Sequence, residues 1–259
     1  LSLHDALPIS IPTMILSVFA MLASVFAPQL TISYAQNDFN GIRKQLILSM
    51  KFLGMLSCIP MAILFAYGDS FYGLWVPDQN AQLLQILSII TCFGLVFALP
   101  LEGLWNVFTA TNKIKQSSIM LVSTSVLTII ITFIGITLVN DQTTKLFIIA
   151  GTSTVIGCLR ALIFLPMYRA KCLKLKLTTF YPVILKNSVA VAILTLISFL
   201  IKRSFMIDGW IKLIGVCFAT ALIGILINVF MILSKNEREI LKSMVTKRLK
   251  FLNRGQNNE

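Results

Sequence analysis

The 259-residue chain is 57% hydrophobic and only 12% charged, with a mean hydropathy of +0.86. Soluble domains carry about 25% charged residues, so this composition excludes one and indicates a polytopic membrane protein. A net charge of +12 would suit nucleic acid, but the basic residues lie in short loops between apolar runs and are read as topology signals; no nucleic-acid partner is expected.

The first ten residues, LSLHDALPIS, lack the basic start and unbroken apolar run of a secretory signal. They resemble a common sequencing-library adapter read in frame. Residues 1–10 are therefore read as an artefactual lead-in, with the natural chain entering near Ile11 and an N-terminal part missing. His4, the single histidine, then carries no function.

Seven apolar segments come next, at 11–35, 46–66, 82–109, 117–139, 146–168, 183–201 and 211–233. A helix needs about 20 apolar residues to cross the hydrocarbon core, and lipid requires backbone groups to be satisfied within the segment. The expected fold class is all-α, a transmembrane bundle of about seven spans over 11–233. The segment 82–109 is long, so a tilt or a kink at Pro100 is expected.

The loops alternate in charge. Arg43 and Lys44, Lys113 and Lys115, the group from Arg169 to Lys186, and the tail from Lys235 hold about 16 positive charges. The intervening loops, with Lys145, Lys202, Arg203 and Lys212, hold about 4. The first set, with the C-terminus, is assigned to the cytoplasm. Phe71, Tyr72, Trp75 and Trp210 are expected at the outer interface, Tyr168 and Tyr181 at the inner one.

Residues 234–259 form a basic tail. Ser234 to Glu237 fits a capping box, and the apolar spacing from Ile240 to Leu252, with Lys242, Lys247, Arg248 and Lys250 between, predicts an amphipathic helix on anionic inner-leaflet lipids.

Three ionisable residues fall within spans: Lys51, Glu102 and Arg160. Charges in hydrocarbon are costly and mark functional positions. Each lies roughly 9–14 Å from the cytoplasmic face at 1.5 Å per residue, so they share a layer. One reading is a cationic cavity for an anionic head group. Arg160 holds a phosphate, Lys51 adds a point charge, and Glu102 orients Arg160 or carries a proton or cation. The other is a structural Glu102–Arg160 pair, with Lys51 snorkelling to the interface. Asn106, one turn from Glu102, is a further polar candidate for substrate binding.

Cys58, Cys92, Cys158, Cys172 and Cys217 show no ligand spacing, so neither a metal site nor a disulfide framework is expected. Walker A, HExxH and GxSxG patterns are absent from the sequence. No cofactor is expected, and the chain is not read as an enzyme.

One stretch goes beyond composition: ASVFAPQLTISYAQNDFNGIRKQLILSMKFLGMLSCIPMAILFAYGDSFYGLWV, from Ala23 to Val76. A helix ends in a Phe-Ala-Pro turn, then come an acidic loop and a basic start, and a Pro-containing helix runs to an aromatic hairpin. LWNVFTATNKIKQSS, from Leu104 to Ser118, adds a helix exit with an Asn-Lys-x-Lys loop. These motifs, and most of 11–233, resemble the C-terminal lobe of bacterial polysaccharide repeat-unit (O-antigen or capsule) flippases of the multidrug/oligosaccharidyl-lipid/polysaccharide exporter superfamily. The resemblance implies two helical lobes around a central cavity, moving undecaprenyl-diphosphate-linked oligosaccharide by alternating access. It makes the first lobe of the same protein a partner. Two alternatives stand beside it: a drug/cation antiporter of the same superfamily, and a membrane-embedded polysaccharide polymerase.

Overall fold

A computed structural model describes residues 7–205 and 207–239, with side chains from Ile11 onward. Within them there are helices and no strand. Six helical spans are long and apolar enough to cross a membrane, and a bent pair brings the number to seven, as the apolar pattern predicts.

The bent pair corrects the expected single helix over 11–35. Helix α1 (Leu7–Ser24) and helix α2 (Ala27–Ala35) meet at 42°. Pro28, in the first turn of α2, lacks an N–H and cannot continue the α1 ladder. Phe26 N–H closes the corner by donating to the Ala23 carbonyl at 3.2 Å.

Helix α3 (Phe39–Trp75) is longer than the 46–66 segment. Asp38 caps it, accepting from Gly41 N–H at 2.8 Å, and Pro60 lies within it without ending it. Its 37 residues span about 55 Å at 1.5 Å each, against a hydrocarbon core of about 30 Å. Arg43 and Lys44, expected in a loop, are therefore helical, as is Asp69 beyond the apolar segment. Polar residues at a membrane surface need not break a helix.

Helix α4 (Ala81–Ala98), a 3-10 segment (Leu99–Trp105) and helix α5 (Asn106–Ala110) make one span. The distortion expected at Pro100 is this tightened segment. Helix α6 (Ile114–Thr137) comes after it. Helix α7 (Gln142–Leu159), a π-helical turn (Arg160–Phe164) and helix α8 (Leu165–Cys172) make the next span. Helix α9 (Tyr181–Ser204) and helix α10 (Trp210–Met231) complete the bundle.

The π turn has a local cause. Pro166 has no N–H to offer the Leu162 carbonyl four residues earlier. Tyr181 replaces it, its hydroxyl donating to Leu162 O at 2.7 Å. Tyr181 thus ties α9 to the bulge, and is no simple interfacial anchor.

Helix α3 is the axis of the bundle, with α4, α9, α10 and the 3-10 segment packed around it. Close approach is achieved with small residues, as membrane helices require. A Cβ on Gly54 would run into the Asn187 amide, one on Gly103 into Ser49, and one on Gly224 into Leu194 and Ile59. Asn187 is buried and donates to Met50 O at 3.3 Å. Gly54→Val is expected to cost about 1–3 kcal/mol by overpacking the α3–α9 seam, read as a lowered Tm in detergent; an unchanged Tm would mean that the seam can yield. Helix α6 is peripheral, with only Ser117 and Met120 buried.

The two ends of the bundle differ. At one, Lys202 pairs with Asp69 and donates to Ala66 O at 3.0 Å, and Lys212 pairs with Asp208 at 2.7 Å. Phe71 packs against Trp75 and Trp210 there, and both tryptophans are half exposed. Tyr72 corrects the expected aromatic belt: it is fully buried, its hydroxyl 2.5 Å from Ser88 Oγ. The other end carries Lys51, Lys113, Arg169 and the start of the tail.

Candidate functional site: a charged layer in the bundle

Two helical irregularities position the intramembrane charges. Glu102 lies in the 3-10 segment and Arg160 opens the π turn. Arg160 lines a cavity of about 120 Å³ between α4 and α7, with Thr91, Gly94, Leu95, Ala98, Ser153, Thr154 and Gly157. Gly94 faces Thr154 and Cys158, and Thr154 donates across the seam to Ile90 O at 2.8 Å. Arg160 is only half buried. Among the described residues no ion pair joins it to Glu102, so the expected direct pair is not formed. Glu102 is within electrostatic reach of both the Arg169 and the Arg160 guanidiniums.

Arg169, a loop charge by the apolar pattern, is instead fully buried in α8. Its guanidinium lies 4.6 Å from the Trp105 ring centroid and 4.3 Å from that of Phe108. Nε donates to Leu104 O, and Nη1 donates to Leu165 O at 3.2 Å. Nη2 is buried without a partner. A signal for this burial exists in the sequence: Ala161, Leu165, Arg169 and Leu173 recur every four residues, and all four are buried. Ending the span at Tyr168 hides that row.

Lys51 does not join Glu102 and Arg160. Its ammonium donates to both Glu237 carboxylate oxygens, at 2.8 and 2.7 Å. Glu237 belongs to the capping box predicted at the start of the tail. Ser234 N–H donates to Glu237 Oε2 at 2.8 Å, and Glu237 N–H donates to Ser234 Oγ at 3.4 Å. The amphipathic helix expected beyond Ile240 lies outside the described residues. Asn106 also has an internal role: its amide donates to Ala23 O at 2.8 Å, a second donor beside Phe26 N–H at the α1–α2 corner.

Partial burial raises the Glu237 carboxyl, but Lys51 and the Ser234 N–H and hydroxyl outweigh it and lower it from 4.5 to about 2. A depressed carboxylate stabilises the fold fully above its ordinary value, and that contribution is lost as pH falls through the folded one. An NMR titration of Glu237 is expected to give a midpoint near 2. A midpoint near 4.5 would mean that the pair with Lys51 does not form.

Fold and composition together define a polytopic α-helical membrane protein. Over 233 residues the chain is 24% identical to "Uncharacterized membrane protein EpsK" of Bacillus subtilis (strain 168), a match covering 90% of this chain and 45% of that protein. The chain thus spans about half the length of the curated relative it matches. No protein-family model matches it, and no solved structure does.

Proposed function

We propose that the chain is one lobe of a flippase that moves undecaprenyl-diphosphate-linked oligosaccharide across the bacterial inner membrane for surface polysaccharide synthesis, with a cytoplasmic C-terminus. The observation that carries this reading is Arg160, a guanidinium within an apolar span that lines a cavity with no ion-pair partner among the described residues. Desolvated cations persist in bilayers where they face a cavity or a ligand, and guanidinium geometry suits phosphate oxygens. One carboxylate, Glu102, is within electrostatic reach of two guanidiniums, Arg160 and Arg169, which favours an anionic substrate over the organic cation of a drug antiporter. Similarity to about half of a longer membrane protein supports a second lobe, which alternating access requires. The test is surface polysaccharide in a flippase-deficient strain. The full-length protein is expected to restore it, and its Arg160→Ala variant and the 259-residue chain alone are not. Restoration by the chain alone would remove the two-lobe mechanism.

A further inference from the structure

The pairing of Lys51 with Glu237 joins positions 186 residues apart. Lys51 projects from α3 inside its apolar stretch, and Glu237 stands just beyond the end of the last span. The ammonium is largely covered and the carboxylate about two-thirds covered, at 14% and 31% side-chain exposure. Both carboxylate oxygens are engaged by that one ammonium, and Oε2 also accepts from the Ser234 backbone and hydroxyl. A carboxylate held in this way presents two anionic oxygens to the lysine, as a phosphate would. Glu237 is tethered, so it acts at high effective concentration. A free anion therefore competes only when it brings more charge or other contacts.

We infer that Glu237 is an intramolecular stand-in for a lipid phosphate at Lys51, and that binding of a phosphate-bearing lipid head group displaces it and releases the segment 234–239 from α3. The inference rests on the anionic-substrate reading and extends it to regulation: the start of the tail closes the Lys51 end of the bundle until the head group arrives. The depressed Glu237 carboxyl keeps the closing charge in place throughout the physiological range. The exchange of one anion for another leaves Lys51 paired in both states, so neither state buries a lone ammonium in the bilayer.

Hydrogen exchange of the 234–239 amides, in the whole 259-residue chain in phosphatidylcholine nanodiscs, tests this. Saturating farnesyl diphosphate is expected to speed exchange about 10-fold, as loss of a local tertiary anchor does. Lys51→Met breaks the pair but leaves the Ser234–Glu237 capping box intact. It is expected to exchange as fast without ligand, and farnesyl diphosphate should add nothing. Nanodiscs containing phosphatidylglycerol separate the sources of phosphate: fast exchange there without farnesyl diphosphate makes the displacing anion a bilayer lipid. Binding of farnesyl diphosphate without faster exchange overturns the displacement and leaves the Arg160 reading standing. Slow exchange in Lys51→Met shows that the capping box and the Arg238–Phe230 contact hold the segment without the Lys51 pair, and also overturns it. No binding of farnesyl diphosphate together with no effect of phosphatidylglycerol overturns the displacement, whereas the two-lobe reading is tested by the export assay.

Discussion

Arg169→Ala is expected to destabilise the bundle by about 3–5 kcal/mol, the cost of breaking a buried charge arrangement from one side. Three losses combine. The Leu104 and Leu165 carbonyls each lose a donor, the Trp105 and Phe108 rings lose the cation packed against both, and Glu102 loses one of the two guanidiniums that interact with it. Arg169→Lys keeps the charge but not the planar fork, and a lysine cannot both stack between two rings and reach two carbonyls. It is expected to recover less than half of the loss. Arg169→Met fills much of the space without donors, so its stability isolates the polar part. Combining it with Glu102→Gln should cost less than the sum of the two, because the neutral amide no longer needs a cation. Unfolding in detergent with increasing dodecyl sulfate measures all five variants, Glu102→Gln alone included. Additivity of the double change would mean that Glu102 and Arg169 do not stabilise each other.

The parts of this fold legible in the sequence are those set by local composition. Apolar run length locates the spans, Pro100 marks the distorted stretch, and Ser234-x-x-Glu237 announces its capping box. The residues that sequence alone misplaces are those whose partners lie far away. Asn106 reads as a candidate for substrate, because nothing near it predicts that α1 ends at Ser24 and leaves the Ala23 carbonyl open to a second donor. Counting turns along one helix places Lys51 in depth, but does not reveal the Glu237 carboxylate waiting 186 residues on. Arg169 counts as a loop charge when a span is ended at its last apolar residue. The helix runs on to Cys172, and the π turn inserts an extra residue that rotates the remainder of that helix by about 100°. Glu102 and Arg160 are legible as residues inside spans, yet their separation depends on the 3-10 and π segments. Those segments reflect Pro100 and Pro166 together with a tyrosine on another helix.

Arg160→Ala in the full-length protein is expected to abolish most surface polysaccharide, whereas Glu102→Gln should fail for the opposite reason. On the flippase reading proposed above, one carboxylate offsets one of two guanidiniums, and the positive charge left over attracts the diphosphate. Removing Arg160 leaves Glu102 with Arg169, a neutral set whose cation is already enclosed by Trp105 and Phe108. A charge-assisted hydrogen bond of about 1.5–3 kcal/mol is then lost, and farnesyl diphosphate affinity in nanodiscs should fall by about 10-fold to 150-fold. Arg160→Lys keeps the charge but not the two-oxygen contact, and should fall between Ala and the parent. Glu102→Gln leaves two uncompensated cations, so affinity should rise. A carrier that holds its cargo more tightly in one state gains nothing in turnover unless the other state tightens equally, so export should drop although binding improves. Opposite shifts in affinity with the same loss of export would identify the layer as the cargo site. If instead Arg160→Ala binds farnesyl diphosphate like the parent while export falls, Arg160 supports the fold or the rocking of the lobe, and the phosphate must be held elsewhere.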